Sequence, residues 1–86
     1  MNAINKRVLI TGIVQGVGFR PTVYGYAQKH GMKGWVLNSA HGVEIEVYGD
    51  ASQVNAFLQE LRENPPLKAH VDDFQTWEVP IHAYTI

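Results

Sequence analysis

A glycine-containing segment near the N-terminus combines the features of an anion-binding site. Gly16 and Gly18 interrupt an apolar run, and Arg20 and Pro21 follow at the predicted start of a helix. The first N–H groups of a helix lack intrahelical partners, and the helix dipole makes that end positive. N–H groups in a glycine turn can converge on one anion, and a guanidinium can grip two phosphate oxygens. The segment predicts a phosphate site, although an ordinary turn before a helix has the same residues.

Two common phosphate-binding patterns are excluded at this segment. The Walker pattern requires Gly-Lys followed by Ser or Thr, and no such sequence follows Gly18. The dinucleotide pattern requires a third glycine where Pro21 stands. We therefore expect any anion bound here to be held by the N–H groups of the glycine turn and the helix start, together with Arg20, and not by either of these two patterns.

The remaining polar residues indicate neither a metal site nor a nucleophile. The four histidines lack metal-ligand spacing, and we interpret them as surface or capping residues: His30, His41, His70 and His82. No Ser/His/Asp constellation for nucleophilic catalysis can be assembled. We therefore expect metal-independent chemistry without a cofactor, and His41 is the first candidate if a general base is needed.

The composition is that of one ordinary globular domain. The chain has 86 residues, 45% of them hydrophobic, with a formal net charge of −1 and no cysteine. This charge argues against nucleic-acid and membrane-surface partners, which need clustered positive charge, and no apolar run is long enough to span a bilayer. Residues 1–7 carry no apolar signal-peptide core. We expect a cytoplasmic protein, with which the absence of cysteine is consistent.

The first half of the chain predicts a strand, a helix and the beginning of a hairpin. Residues 7–14 are β-branched and apolar and predict a mostly buried strand. Residues 21–30 predict a helix, with Pro21 at its first position and Gly31 as its stop signal. Residues 35–37 predict a short strand. These elements enclose the glycine segment between a strand and a helix.

The second half completes the predicted hairpin and adds a second helix and a last strand. Residues 39–42 predict a turn, and residues 43–48 alternate as a half-exposed strand does. Asp50 and Gln53 predict a capping box that begins a helix, which ends before Pro65 and Pro66. A final strand over 71–79 and a short closing strand over 84–86 are also expected.

The order β-α-β-β-α-β predicts an α+β fold of the ferredoxin-like type. Two consecutive β-α-β units most simply form one antiparallel sheet with both helices on one face. No linker or internal repeat divides the chain, so residues 1–86 are expected to form one domain.

Two motifs resemble those of the acylphosphatase family. Residues 12–20 resemble the signature G-x-V-Q-G-V-x-F-R, and residues 34–38 resemble the second motif, G-W-V-x-N. Their separation and the order of elements also match, so the resemblance covers nearly the whole chain. Pro21 and residues 42–44 and 64–67 further resemble the N-terminal acylphosphatase-like domain of hydrogenase-maturation carbamoyltransferases. Leu37 and Ser39 depart from related sequences, which often carry Arg and Asp there.

The resemblance implies a role for each site residue. Arg20 would bind the phosphoryl group and Asn38 would orient the attacking water. The backbone N–H groups of the glycine segment would complete the phosphate cradle, from Gln15, Gly16, Val17, Gly18, Phe19 and Arg20. Taken alone, Asn38 suits a strand-end turn and Arg20 suits a solvated helix start.

The resemblance also implies an activity and its partners. It implies hydrolysis of acyl phosphates, with carbamoyl phosphate as the expected substrate and inorganic phosphate as a product, in the N-terminal domain of a longer carbamoyltransferase. A free-standing acylphosphatase of broad specificity and a non-catalytic anion-binding regulatory module are the alternatives.

Overall fold

Four strands and two helices follow one another in the computed structural model, which describes residues 2–81. In chain order they are β1 (Ala3–Ile13), α1 (Phe19–Lys29), β2 (Lys33–Ser39), β3 (Gly42–Asp50), α2 (Ala51–Glu63) and β4 (His70–Glu78). The strands form one antiparallel sheet in the order β2-β3-β1-β4. The predicted ferredoxin-like α+β fold is thereby confirmed. The closing strand predicted over residues 84–86 lies outside the described residues.

The core lies between the sheet and the two helices. α1 packs on β2, α2 packs on β1 and β3, and the helices contact each other, so both cover the same face. Every second residue of β1 and β3 points into this layer, because side chains alternate across a strand. The buried apolar residues are Val8, Ile10, Val14, Phe19, Val23, Val43, Ile45, Val47, Val54, Phe57, Leu58 and Leu61.

The face of the sheet away from the helices contains an ion pair whose carboxylate is buried. Glu46 points to this side as the alternation predicts, but it is only 1% exposed rather than half-exposed. Its carboxylate accepts hydrogen bonds from Arg7 Nε at 2.8 Å and Asn5 Nδ2 at 3.3 Å. The Arg7 guanidinium also lies 5.0 Å from the ring centre of Trp35. The strand pairing explains this cluster, because both Arg7 and Trp35 lie opposite Glu46 in register.

The helix that follows the glycine segment begins earlier than predicted. α1 starts at Phe19, so Pro21 is its third residue rather than its first. Proline is still accommodated there, because the N–H groups of the first turn have no intrahelical acceptor. Arg20 consequently lies within the first turn of the helix.

Candidate active site

A β-bulge directs the chain from β1 into the glycine segment. The pairing of β1 with β4 shifts register between Thr11 and Gly12. Gly12 has φ 124°, and a Cβ atom there would lie 2.2 Å from the carbonyl oxygen of His70. Only glycine allows β4 to approach this closely in that conformation. The bulge therefore fixes where the following loop leaves the sheet.

Two buried side chains hold the loop at its ends while its middle stays open. Val14 and Phe19 are each 2% exposed and belong to the core. Gly16 and Gly18 between them are exposed and have φ 74° and 94°, values that favour glycine. Residues 14–19 therefore form a strand-to-helix loop with anchored ends and an exposed backbone, which we call the phosphate loop after the ligand predicted for it.

The N-terminus of α1 is left uncapped by side chains. Gly18 is the N-cap residue and makes no side-chain cap bond, and the first turn contains no acidic residue. Among residues 2–81, no hydrogen bond is donated by a backbone N–H group of residues 15–20. These donors and the positive end of the helix dipole together suit an anion.

Asn38 approaches the same point from the end of β2. It pairs with Val43 in register, so both side chains lie on the face that the helices cover. α1 packs on β2, which brings this strand end beside the start of the helix. A small pocket of about 100 Å³ results, lined by Val14, Gly16, Gly18, Phe19, Arg20, Pro21 and Asn38.

The pocket brings Arg20 and Asn38 together with three of the predicted loop residues. Both side chains are exposed. Within the described residues Arg20 makes no ion pair and no side-chain hydrogen bond, so its guanidinium can engage a ligand. Gln15 and Val17 belong to the phosphate loop but do not line this pocket. Their predicted contribution concerns the backbone N–H groups.

The side chain of Gln15 makes a contact that the sequence analysis did not anticipate. Its Nε2 donates to the carbonyl oxygens of Ser39 at 2.6 Å and Gly42 at 3.3 Å. This contact links the phosphate loop to the turn between β2 and β3. The only sequence signal was the presence of glutamine within the first motif.

The histidines lie away from the small pocket wherever the structure describes them. His41 lines a neighbouring open pocket of about 430 Å³, together with Gln15 and Ser39. His30 caps the end of α1, and its Nε2 lies 2.7 Å from Glu60 Oε1. Within residues 2–81, no three His, Asp or Glu side chains are grouped as a metal ion would require. The same range contains no helix that is both long and apolar enough to cross a membrane.

Known proteins with similar sequences fall into two size classes. The chain is 45% identical over 70 residues to carbamoyltransferase HypF2 of Cupriavidus necator. This alignment covers 81% of this chain but 9% of the relative. It is 44% identical over 82 residues to an acylphosphatase of Bacillus pumilus. This alignment covers 94% of this chain and 90% of the relative. The chain thus spans about a tenth of the first relative and most of the second.

A solved structure and a family model agree with these similarities. The fold superposes with a TM-score of 0.94, at 43% identity, on full-length HypF crystallised in a phosphate- and nucleotide-bound form; the match covers 98% of this chain and 11% of that one. The model of the acylphosphatase family matches residues 6–84. With this sequence match and this fold, the chain belongs to the acylphosphatase family.

Proposed function

We propose that this acylphosphatase domain hydrolyses the carboxyl–phosphate bond of acyl phosphates in the small pocket at the start of α1. The observation that carries the proposal is the meeting of Arg20 and Asn38 over an uncapped helix N-terminus. The N–H groups of residues 15–20 and the Arg20 guanidinium hold the phosphoryl group. Asn38 orients the water that attacks it.

The chemistry of an acyl phosphate explains why so few groups suffice. The leaving group is a carboxylate or carbamate, and the pKa of a carboxylic acid is about 4. It can leave without being protonated, so no general acid is required. The protein has only to position the phosphoryl group and stabilise its charge in the transition state. Fixed N–H donors and Arg20 perform both tasks.

The attacking water needs an acceptor that fixes its direction. The side-chain carbonyl of Asn38 can accept a hydrogen bond from water. An amide is a poor base, so the proton of the water passes to a phosphate oxygen. This scheme uses no metal ion and no cofactor.

Carbamoyl phosphate is the substrate we propose, in a longer cytoplasmic carbamoyltransferase. The support is the 45% identity to HypF2 and the TM-score of 0.94 with HypF. A free-standing acylphosphatase is the second candidate, because the match to the Bacillus pumilus protein covers nearly all of both chains. A non-catalytic anion-binding module is disfavoured, since both Arg20 and Asn38 line the pocket.

The first prediction tests the site through Arg20. We expect the wild-type domain to hydrolyse carbamoyl phosphate and benzoyl phosphate but not phenyl phosphate, whose leaving phenol has a pKa of about 10. Arg20→Ala should lower turnover at least about 100-fold and weaken competitive inhibition by inorganic phosphate. Arg20→Lys should restore little, because an ammonium cannot form the bidentate contact.

Arg62→Lys is the matched control, because Arg62 lies on α2 and packs over Phe74 at 4.7 Å. It should hydrolyse both acyl phosphates at the wild-type rate. Wild-type turnover in Arg20→Ala would refute the site, and equal hydrolysis of phenyl phosphate would refute the proposed chemistry. The ratio of kcat/KM for carbamoyl and benzoyl phosphate distinguishes the two candidate substrate ranges.

A further inference from the structure

The two halves of the proposed site belong to strands that are not neighbours. The phosphate loop follows β1, and Asn38 lies near the end of β2, while β3 lies between these strands. Two strand spacings separate them, roughly 10 Å. β1 pairs with β3 only as far as Ile10 and with β4 only as far as Ile13. The sheet therefore does not hold the phosphate loop against the end of β2.

The side chain of Gln15 makes that connection directly. It bonds to the carbonyl oxygens of Ser39 and Gly42, at the two ends of the turn that joins β2 and β3. Since both partners are acceptors, the amide must present its NH₂ group, which fixes its orientation chemically. Ser39 is the next residue after Asn38, so one bond holds the main chain beside the water-orienting side chain.

The turn between β2 and β3, to which Gln15 bonds, is also held by contacts that do not involve Gln15. Ser39 Oγ accepts a hydrogen bond from the His41 N–H at 3.1 Å. Gly42 lies so close to β1 that a Cβ atom would be 2.2 Å from the Ile10 carbonyl oxygen. Gln15 thus joins this fixed turn to the phosphate loop, whose two ends are anchored in the core. Because both segments are held independently, the bonds of Gln15 can set the distance between them.

We propose that the Gln15 side chain is a positioning residue that sets the distance between the phosphate loop and Asn38. This role is separate from that of the Gln15 backbone N–H in the phosphate cradle, and it rests on the proposed function. Gln15 touches neither the water nor the phosphoryl group through its side chain. It acts by keeping Asn38 in line with the bound substrate, where an error of about 1 Å can cost about 100-fold in rate.

The test is a double-mutant cycle between Gln15 and Asn38. Gln15→Met keeps the length of the side chain but removes the donor, and Gln15→Asn keeps the amide but is one methylene too short. Each should lower kcat for benzoyl phosphate about 10-fold or more and leave inhibition by inorganic phosphate within about 3-fold. In an Asn38→Ala background the same changes should lower kcat less than about 3-fold, because no positioned amide remains.

Gln28→Met is the matched control, because Gln28 is an exposed glutamine that donates to Tyr24 on the same helix. It should leave kcat unchanged in both backgrounds. Circular dichroism identifies any variant that does not fold, and the second Gln15 variant then completes the cycle. Equal losses in both backgrounds, unchanged kcat, or a parallel loss of phosphate affinity would each overturn the positioning role.

Failure of this inference can be distinguished from failure of the proposed function. If the wild-type domain hydrolyses acyl phosphate and Asn38→Ala does not, the function stands whatever Gln15 does. If the wild-type domain does not hydrolyse acyl phosphate, the function itself is refuted. If the wild type is active and Asn38→Ala is equally active, the water-orienting role of Asn38 and the positioning role of Gln15 are refuted, while the hydrolytic function stands. The Gln15 variants are interpreted only against these two rates.

Discussion

At the scale of single residues, Arg20 and Asn38 line one pocket but are expected to act at different stages. Arg20 carries a positive charge that is expected to attract the phosphoryl group when the substrate binds. Asn38 is neutral and is proposed to contact the water rather than the phosphate. Substitutions at the two positions should therefore be separable in kinetics.

The second prediction concerns Asn38→Ala. Turnover should fall by about 100-fold or more, because water placement matters in the transition state, while inhibition by inorganic phosphate should hardly change. Asn55→Ala is the control, since Asn55 is exposed on α2. Steady-state kinetics with benzoyl phosphate gives both values. A matching loss of phosphate affinity would mean that Asn38 binds the substrate.

The third prediction distinguishes two reasons why an added Cβ atom destabilises a glycine position: strain from a positive φ and steric crowding. Gly18 has φ 94° and free space around it, whereas a Cβ atom at Gly34 would lie 1.8 Å from the Glu46 carbonyl oxygen. Gly18→Ala should lower the free energy of unfolding by about 1–2 kcal/mol, and Gly18→Asn by less, because Asn tolerates a positive φ. Gly34→Ala should cost more than Gly18→Ala.

Gly25 is the control for these glycines, since it lies in α1 without a positive φ and with free space around it. Gly25→Ala should raise the free energy of unfolding by about 0.5–1 kcal/mol. Urea denaturation measures all four variants. Equal effects of Gly18→Ala and Gly18→Asn would argue against strain at Gly18.

At the scale of elements, polar contacts hold the two helices together at the end of α1. Glu60 on α2 accepts from Lys29 Nζ at 2.9 Å and lies 2.7 Å from His30 Nε2. Tyr26 Oη donates to the Asn64 carbonyl oxygen at 2.8 Å. The hydrogen bond from Lys29, and to a smaller extent the hydrogen bond with His30, lowers the pKa of the Glu60 carboxyl below its ordinary value.

The fourth prediction follows from the direction of that shift. A carboxyl whose pKa is lowered on folding stabilises the protein above its unfolded pKa, near 4.5 for Glu60, and loses this effect as pH falls through the folded pKa. Glu60→Gln should therefore destabilise the domain at pH 6 and make progressively less difference below about pH 4.5. Urea denaturation across this range measures it.

Glu63→Gln is the control, because Glu63 is exposed on the same helix and, within residues 2–81, accepts a single long hydrogen bond, 3.3 Å, from Gln59 Nε2. Its effect on the free energy of unfolding should be small throughout the same pH range. A destabilisation by Glu60→Gln that does not change with pH would contradict the role given to its charge.

The sequence predicted the elements well where local chemistry determines them. α1 ends at Lys29, one residue before the predicted end, and Gly31 follows as the expected stop signal; the N–H groups of Gly31 and Met32 bond back to the carbonyl oxygens of Gln28 and Ala27. Asp50 caps α2 as expected, although its side chain accepts from the Ser52 N–H rather than from Gln53. Such signals lie within a few residues, so a single sequence can display them.

Features that depend on distant partners were harder to predict. The Gln15 side chain bonds to residues 24 and 27 positions away, and no local pattern announces such a contact. Burial of Glu46 depends on strand register, which places Arg7 and Trp35 beside it. For the candidate site, the local loop chemistry indicated an anion, whereas the roles of Arg20 and Asn38 came from family resemblance and are still predictions.

At the scale of the whole molecule, the sheet has two unlike faces. One face packs its apolar residues against the helices, and the other contains the Arg7–Glu46 pair, with Arg7 Nη2 at 2.7 Å from Glu46 Oε1. The Glu46 side chain is 2% exposed and that of Arg7 is 33% exposed. A carboxylate buried this deeply depends strongly on its cationic partner.

The fifth prediction tests this pair. Arg7→Met should lower the free energy of unfolding by about 3 kcal/mol, because it removes the cation while the carboxylate stays buried. Adding Glu46→Gln to Arg7→Met should recover part of the loss. Arg62→Met is the matched control and should cost less, because Arg62 is an exposed residue of α2. Urea denaturation that shows equal losses for Arg7→Met and Arg62→Met would contradict the importance of the pair.

The uncapped backbone at the start of α1 also ties ligand binding to folding. The proposed cradle of N–H groups would exist only while the loop holds its shape, so the unfolded chain would offer phosphate no equivalent site. A ligand that binds only the native state stabilises it, by about 2.7 kcal/mol at a concentration 100 times its Kd. Inorganic phosphate at concentrations far above its Kd should therefore raise the melting temperature of the domain and slow its proteolysis, and both effects should grow with the logarithm of the phosphate concentration.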